Sequence, residues 1–81
     1  MKDYIATFHT HLSALRTQRS LTAAGTCAAL SPVPRRLSAS CGTCVRYRAE
    51  TPLCQCMDTD YEKIVEVAGE DAYKTIQENL Y

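Results

Sequence analysis

The stretch Thr59-Asp60-Tyr61-Glu62-Lys63-Ile64-Val65-Glu66-Val67-Ala68-Gly69-Glu70-Asp71 admits two readings, and the choice between them decides the fold. Thr59 followed by Glu62 has the spacing of a capping box, and Tyr61, Ile64, Val65 and Ala68 recur at helical intervals. Against a helix, Ile64, Val65 and Val67 are β-branched and lose side-chain freedom there. Ala68-Gly69-Glu70-Asp71 is turn chemistry that lets Ala72 to Gln77 return as a strand. A strand over 61–67 also completes an order of elements that the rest of the chain sets up, and it is preferred here to the helix.

Working back from that stretch, Thr51-Pro52 offers an N-cap with proline at the first helical position, so a short helix with Leu53, Cys56 and Met57 on one side is expected. Thr43-Cys44-Val45-Arg46-Tyr47-Arg48 alternates Val45 and Tyr47 with Arg46 and Arg48, the pattern of a half-buried strand. Residues 31–42 carry two prolines, three serines and a closing glycine, and read as a loop. Cys27-Ala28-Ala29-Leu30 reads as a strand ended by Pro32 and Pro34, which cannot donate to a ladder. Thr10 caps a helix whose apolar face is assigned to Leu12, Ala14, Leu15 and Leu21, whose wet face carries Arg16 and Arg19, and which Gly25 stops. Tyr4-Ile5-Ala6-Thr7-Phe8 is a buried strand by its aromatic and β-branched content. The sequence therefore predicts an α+β chain in the order β-α-β-β-α-β, the split βαβ arrangement of a small ferredoxin-like single domain over residues 1–81.

With 81 residues, 46% of them hydrophobic and 22% charged, the chain is sized for one core and is neither collagen-like nor of disordered composition. No apolar run approaches the roughly 18 residues of a membrane span, and Met1-Lys2-Asp3 leads into no signal-peptide core, so a cytoplasmic protein with no membrane partner is expected. Nine basic and nine acidic residues cancel, yet they are divided along the chain. Residues 1–48 hold seven basic residues against Asp3, a net +6, and residues 49–81 hold eight acidic ones against Lys63 and Lys74, a net −6. The longest basic run is Arg35-Arg36, so the sequence predicts solvated charged faces and no nucleic-acid binding. The five tyrosines read as core and rim residues.

Cys27, Cys41, Cys44, Cys54 and Cys56 are odd in number and cannot all pair within the chain. Cys41-Gly42-Thr43-Cys44 carries the clearest chemistry, because a thiolate is the nucleophilic form of cysteine and neighbouring cations or a helix N-terminus favour it. In the expected sheet the first and third strands are antiparallel neighbours. That brings Cys41 and Cys44 beside His9, His11 and the positive end of the first helix, with Arg35 and Arg36 adding positive potential. Two alternatives use the same thiols. A thioredoxin-like redox protein places C-x-x-C at the start of a helix, whereas Cys44 leads into a strand. A four-cysteine zinc or iron module needs Cys54 and Cys56 as a second pair, and one intervening residue is too few for an ordinary zinc knuckle.

Tyr4-Ile5-Ala6-Thr7-Phe8-His9-Thr10-His11, then Ala14-Leu15, and above all Pro32-Val33-Pro34-Arg35-Arg36-Leu37-Ser38-Ala39-Ser40-Cys41-Gly42 resemble the small bacterial selenium/sulfur carrier-like domains. The resemblance runs from Tyr4 to Tyr47. It implies a carrier rather than a turnover enzyme, with no separate cofactor or metal. Cys41 would hold a sulfur or selenium atom as a persulfide or selenosulfide between donor and acceptor proteins of sulfur or selenium trafficking. Gly42, Ser40, Arg35, Arg36 and His9 are then expected to shape the pocket. Cys44 is placed to act as a resolving thiol, closing a Cys41-Cys44 disulfide as the cargo leaves; that role comes from the spacing and is not part of the family motif.

Overall fold

The computed structural model describes residues 1–37, 41–70 and 72–79. Five strands and one helix follow one another as β1 (Lys2–Phe8), α1 (His11–Ala23), β2 (Ala28–Pro32), β3 (Thr43–Ala49), β4 (Tyr61–Gly69) and β5 (Ala72–Glu78). The strands form one antiparallel sheet in the order β2-β3-β1-β4-β5, with β1 at its centre. The 59–71 stretch is thus a strand and a turn, and the residues after it return as β5. β-branched Ile64 and Val65 are both buried there, on opposite faces of the sheet.

Tyr4 to Phe8 of β1 are all buried, which is why this strand reads as an unbroken apolar run: both of its faces are covered. On one side Tyr4, Ala6, Phe8, Val45, Tyr47 and Ile64 pack with Ala14 and Leu21 of α1. We call this the helix face; Tyr4 and Tyr47 stack on it with ring centroids 5.4 Å apart. On the other side Ile5, Cys44 and Val65 meet Val33 and Leu37 from the loop after β2, together with Val67 and Tyr73. We call this the loop face. Thr7 is fully buried, and its hydroxyl is the one buried side-chain polar atom without a hydrogen-bond partner among the described residues.

The ends of α1 follow local chemistry. The Thr10 hydroxyl accepts from the Ser13 N–H at 3.2 Å as N-cap. At the other end Gly25 takes φ +86°, with Gly25 N–H bonded to the Thr22 carbonyl and Thr26 N–H to the Leu21 carbonyl, the paired bonds of a Schellman stop. The buried face of the helix differs from expectation. Leu12 is 54% exposed and Leu15 half-buried, while Ser13, Ala14, Thr17 and Leu21 are the buried set. Two hydroxyls turn inward because distant partners satisfy them: Ser13 donates to the Asp60 carboxylate at 3.2 Å, and Thr17 accepts from the Asp58 N–H at 2.9 Å.

The expected second helix is also corrected. Over 51–57 the described chain forms one 3₁₀ turn, Cys54–Cys56, entered from Leu53 in a left-handed conformation with φ +53°. Tyr47 donates its hydroxyl proton to the Pro52 carbonyl and anchors the approach to this turn. Leu53, Cys56 and Met57 do share one side, packed on the helix-face core, so a single turn meets the burial requirement without a full helix. The observed order is therefore one helix with a five-stranded sheet, a coarser α+β arrangement than β-α-β-β-α-β.

Candidate thiol site

The loop that follows β2 is closed at its base by backbone. Val33 N–H donates to the Gly42 carbonyl at 3.1 Å, beside the β2–β3 pairs Pro32 with Thr43 and Ser31 with Cys44. Cys41 and Gly42 form the returning foot of this loop. Gly42 holds φ +74°, a region that L side chains rarely adopt, and a Cβ there would meet nothing within 4 Å. Glycine is therefore demanded by backbone conformation and not by crowding.

Cys41 is half-buried and packs against the helix-face core, and its thiol donates to the Thr43 carbonyl at 3.4 Å. The Thr43 hydroxyl lies 3.3 Å from Nδ1 of His11, the first residue of α1. Thr43 thus links Cys41, through its carbonyl, to His11 at the start of α1, through its hydroxyl. β1 and β3 are antiparallel neighbours, as the sequence predicts, and their register places Thr7 opposite Cys44.

Cys44 has gone elsewhere. It is fully buried among Ile5 and Val65 on the loop face, with its thiol 3.6 Å from the Pro32 carbonyl. Burial pushes its pKa up, and the nearby Arg46 guanidinium only partly offsets this. Two thiols three residues apart in sequence therefore face opposite sides of the sheet, and the resolving role expected of Cys44 finds no support in this geometry.

The other expected residues are spread as widely. His9 is exposed, with Nδ1 3.9 Å from a Glu62 carboxylate oxygen of β4 and its backbone N–H donating to the Asp60 carbonyl. Arg35 is exposed in the turn closed by Leu37 N–H on the Pro34 carbonyl. Arg36 lines a cleft on the loop face with Leu37, Lys63, Val65, Tyr73 and Thr75. Ser40 lies outside the described residues. Cys27 and Cys54 are exposed and Cys56 is half-buried. Among the described residues no group of three or more His, Cys, Asp or Glu side chains is gathered to hold a metal. His11, not His9, is the imidazole at the thiol corner; its place as first residue after the Thr10 cap was the signal available in the sequence.

A small α+β protein with a half-exposed thiol at the foot of a proline-bearing loop is the class that fold and site define. The family model described as "Putative Se/S carrier protein-like" matches residues 3–70, and the chain belongs to that family. The match reaches past Tyr47, where the recognisable motifs stop, and takes in β4. A 45-residue segment is 36% identical to "Uncharacterized protein YtiA" of Escherichia coli (strain K12), covering 56% of this chain and 53% of that protein, so the chain spans about half the length of this relative. No solved structure matches. No helix among the described residues is long and apolar enough to cross a membrane.

Proposed function

We propose that the protein carries a single sulfur or selenium atom on Cys41 between a donor and an acceptor protein. The observation that carries this reading is the contrast at the loop foot: Cys41 is reachable and held at the start of α1, while Cys44 is sealed. The family to which the chain belongs supports the same cargo. Loading needs no change in overall oxidation state. The Cys41 thiolate attacks the outer sulfur of a donor persulfide, the donor S–S bond breaks, the donor leaves as a thiolate, and Cys41 becomes a persulfide. Unloading repeats the exchange: an acceptor thiolate takes the outer sulfur and Cys41 returns as a thiolate. Neither step calls for a resolving cysteine, which accords with the burial of Cys44. A selenosulfide follows the same balance with selenium as the outer atom.

Thr43 borders the thiol through its carbonyl and is joined to His11 through its hydroxyl, and in this reading the pair orients what approaches Cys41. A reducing compartment such as the cytoplasm suits a carrier that must keep its thiol free. The strand order β2-β3-β1-β4 supports a further reading of the fold, a split βαβ sheet whose second helix has shrunk to the 54–56 turn and whose edge is extended by β5. The test is intact-mass spectrometry after incubation with a low-molecular-weight persulfide, followed by peptide mapping. Wild type should gain one sulfur atom on the peptide containing Cys41, and Cys41→Ser should gain none there. Equal loading of Cys41→Ser and wild type overturns the assignment.

A further inference from the structure

Arg36 reaches the loop face from the turn after Pro34, and Lys63 reaches it from β4. With Leu37, Val65, Tyr73 and Thr75 they line a cleft of about 520 Å³. That size falls within the range of roughly 300–1,000 Å³ seen for small-molecule sites. Two cations from separate elements therefore line one cleft, together with two hydroxyl-bearing side chains of β5, Tyr73 and Thr75. Among the described residues no carboxylate lines the cleft. Neither Arg36 nor Lys63 forms an ion pair with a described residue, although Glu78 stands opposite Lys63 in the β4–β5 register. The contrast with Arg48 on the same face is direct, since Arg48 is neutralised by Asp3 at 2.9 Å. Two cations that face one cleft and have no ion-pair partner among the described residues repel each other, and an anion bound between them relieves that repulsion.

We infer that this cleft binds a phosphate group, either free or as the head of a small phosphomonoester. A guanidinium presents parallel donors that match two phosphate oxygens, an ammonium adds a point charge, and hydroxyls donate to the remaining oxygens. Buried Val65 and partly buried Leu37 form an apolar wall against which an ester's carbon chain can rest. The site lies on the face opposite Cys41 and stands independently of the carrier reading.

The test is titration of the ¹⁵N-labelled full chain, followed by amide chemical shifts, with inorganic phosphate, with glycerol 3-phosphate and with sodium chloride at matched ionic strength. The expected result is saturable shifts centred on Leu37, Lys63, Tyr73 and Thr75 with one or both phosphate compounds, and none that saturate with chloride. Tighter binding of glycerol 3-phosphate identifies an ester as the ligand, and equal or tighter binding of inorganic phosphate identifies the free ion. Arg36→Gln and Lys63→Gln should each weaken binding about tenfold or more, the scale of one charge-assisted hydrogen bond. Both side chains reach solvent and neither belongs to the core, so the spectra of these variants should otherwise match wild type. The inference is overturned by an absence of saturation, by a chloride response of the same pattern, or by unchanged affinity in the double variant.

Discussion

The helix face and the loop face of this sheet share the same five strands but are covered by different means. On the helix face a thirteen-residue helix and a 3₁₀ turn seal Phe8, Ala6 and Ile64 completely. On the loop face Val33 and Leu37 cover only the middle, over Ile5, Cys44 and Val65, and a polar cleft opens beside them. Regular structure thus makes the larger apolar core, whereas the loop leaves room for charged side chains at its margin. The difference also sorts the two neighbouring cysteines, one to an accessible corner and one to a dry interior.

The strongest way to break this comparison is to remove one large side chain from each face. Phe8→Ala should cost about 3–5 kcal/mol, a large part of the stability of a chain this size. Val65→Ala should cost about 2 kcal/mol, from two lost methyl groups and the space they leave. Urea denaturation measures both, and a Val65→Ala loss equal to or above that of Phe8→Ala would show that the loop face holds the main core.

A second comparison uses the thiols themselves. Iodoacetamide should label Cys41 in the folded protein, while Cys44 should react about a hundredfold more slowly or less, at the rate set by opening of the structure. Its raised pKa has a defined consequence for stability. Below the ordinary thiol value of about 8.5, Cys44 is protonated both folded and unfolded, and contributes no pH dependence. Above it the unfolded chain releases the proton first, so stability falls as pH rises, until the folded-state pKa is passed. Tyr47, whose pKa burial also raises, adds a similar decline above about 10. Cys44→Ala should therefore flatten the stability profile between the two thresholds, and an unchanged slope would place Cys44 in contact with water.

Much of the fold was legible because it is written in local chemistry. The Thr10 cap, the Gly25 stop and the unbroken apolar run of β1 need only neighbours a few residues away. So does the choice of strand for 61–67, where β-branched residues outweighed helical spacing. The buried face of α1 was not legible. Ser13 and Thr17 are acceptable inside only because Asp60 and Asp58, more than forty residues on, supply their hydrogen bonds. Without those partners Leu12 is the better guess. The same limit applied to the candidate site. Spacing brought Cys41 to the start of α1, but the opposite facing of Cys41 and Cys44 depends on the left-handed turn at Gly42 and on the alternation of β3. The placement of Arg36 across the sheet depends on how the loop folds over Val65, which no motif encodes.

The smallest expected effect sharpens the view of the loop face from beneath. Thr7→Val replaces a buried, unpartnered hydroxyl by a methyl group of similar shape and keeps β-branching in a strand. It should raise stability by about 1 kcal/mol, read as a shift of the urea midpoint without change of slope. A loss of stability instead would mean that water reaches the Thr7 hydroxyl.

The bond between Val33 and Gly42 uncouples the position of the thiol from the length of the loop that precedes it. Because both feet of the excursion are pinned to paired strands, segments spliced in between Leu37 and Cys41 would leave the cysteine's seat unmoved. Each doubling of that length costs only about 0.6 kcal/mol in closure entropy. The nucleophile's address is therefore set by strand pairing and not by the length of chain between Leu37 and Cys41.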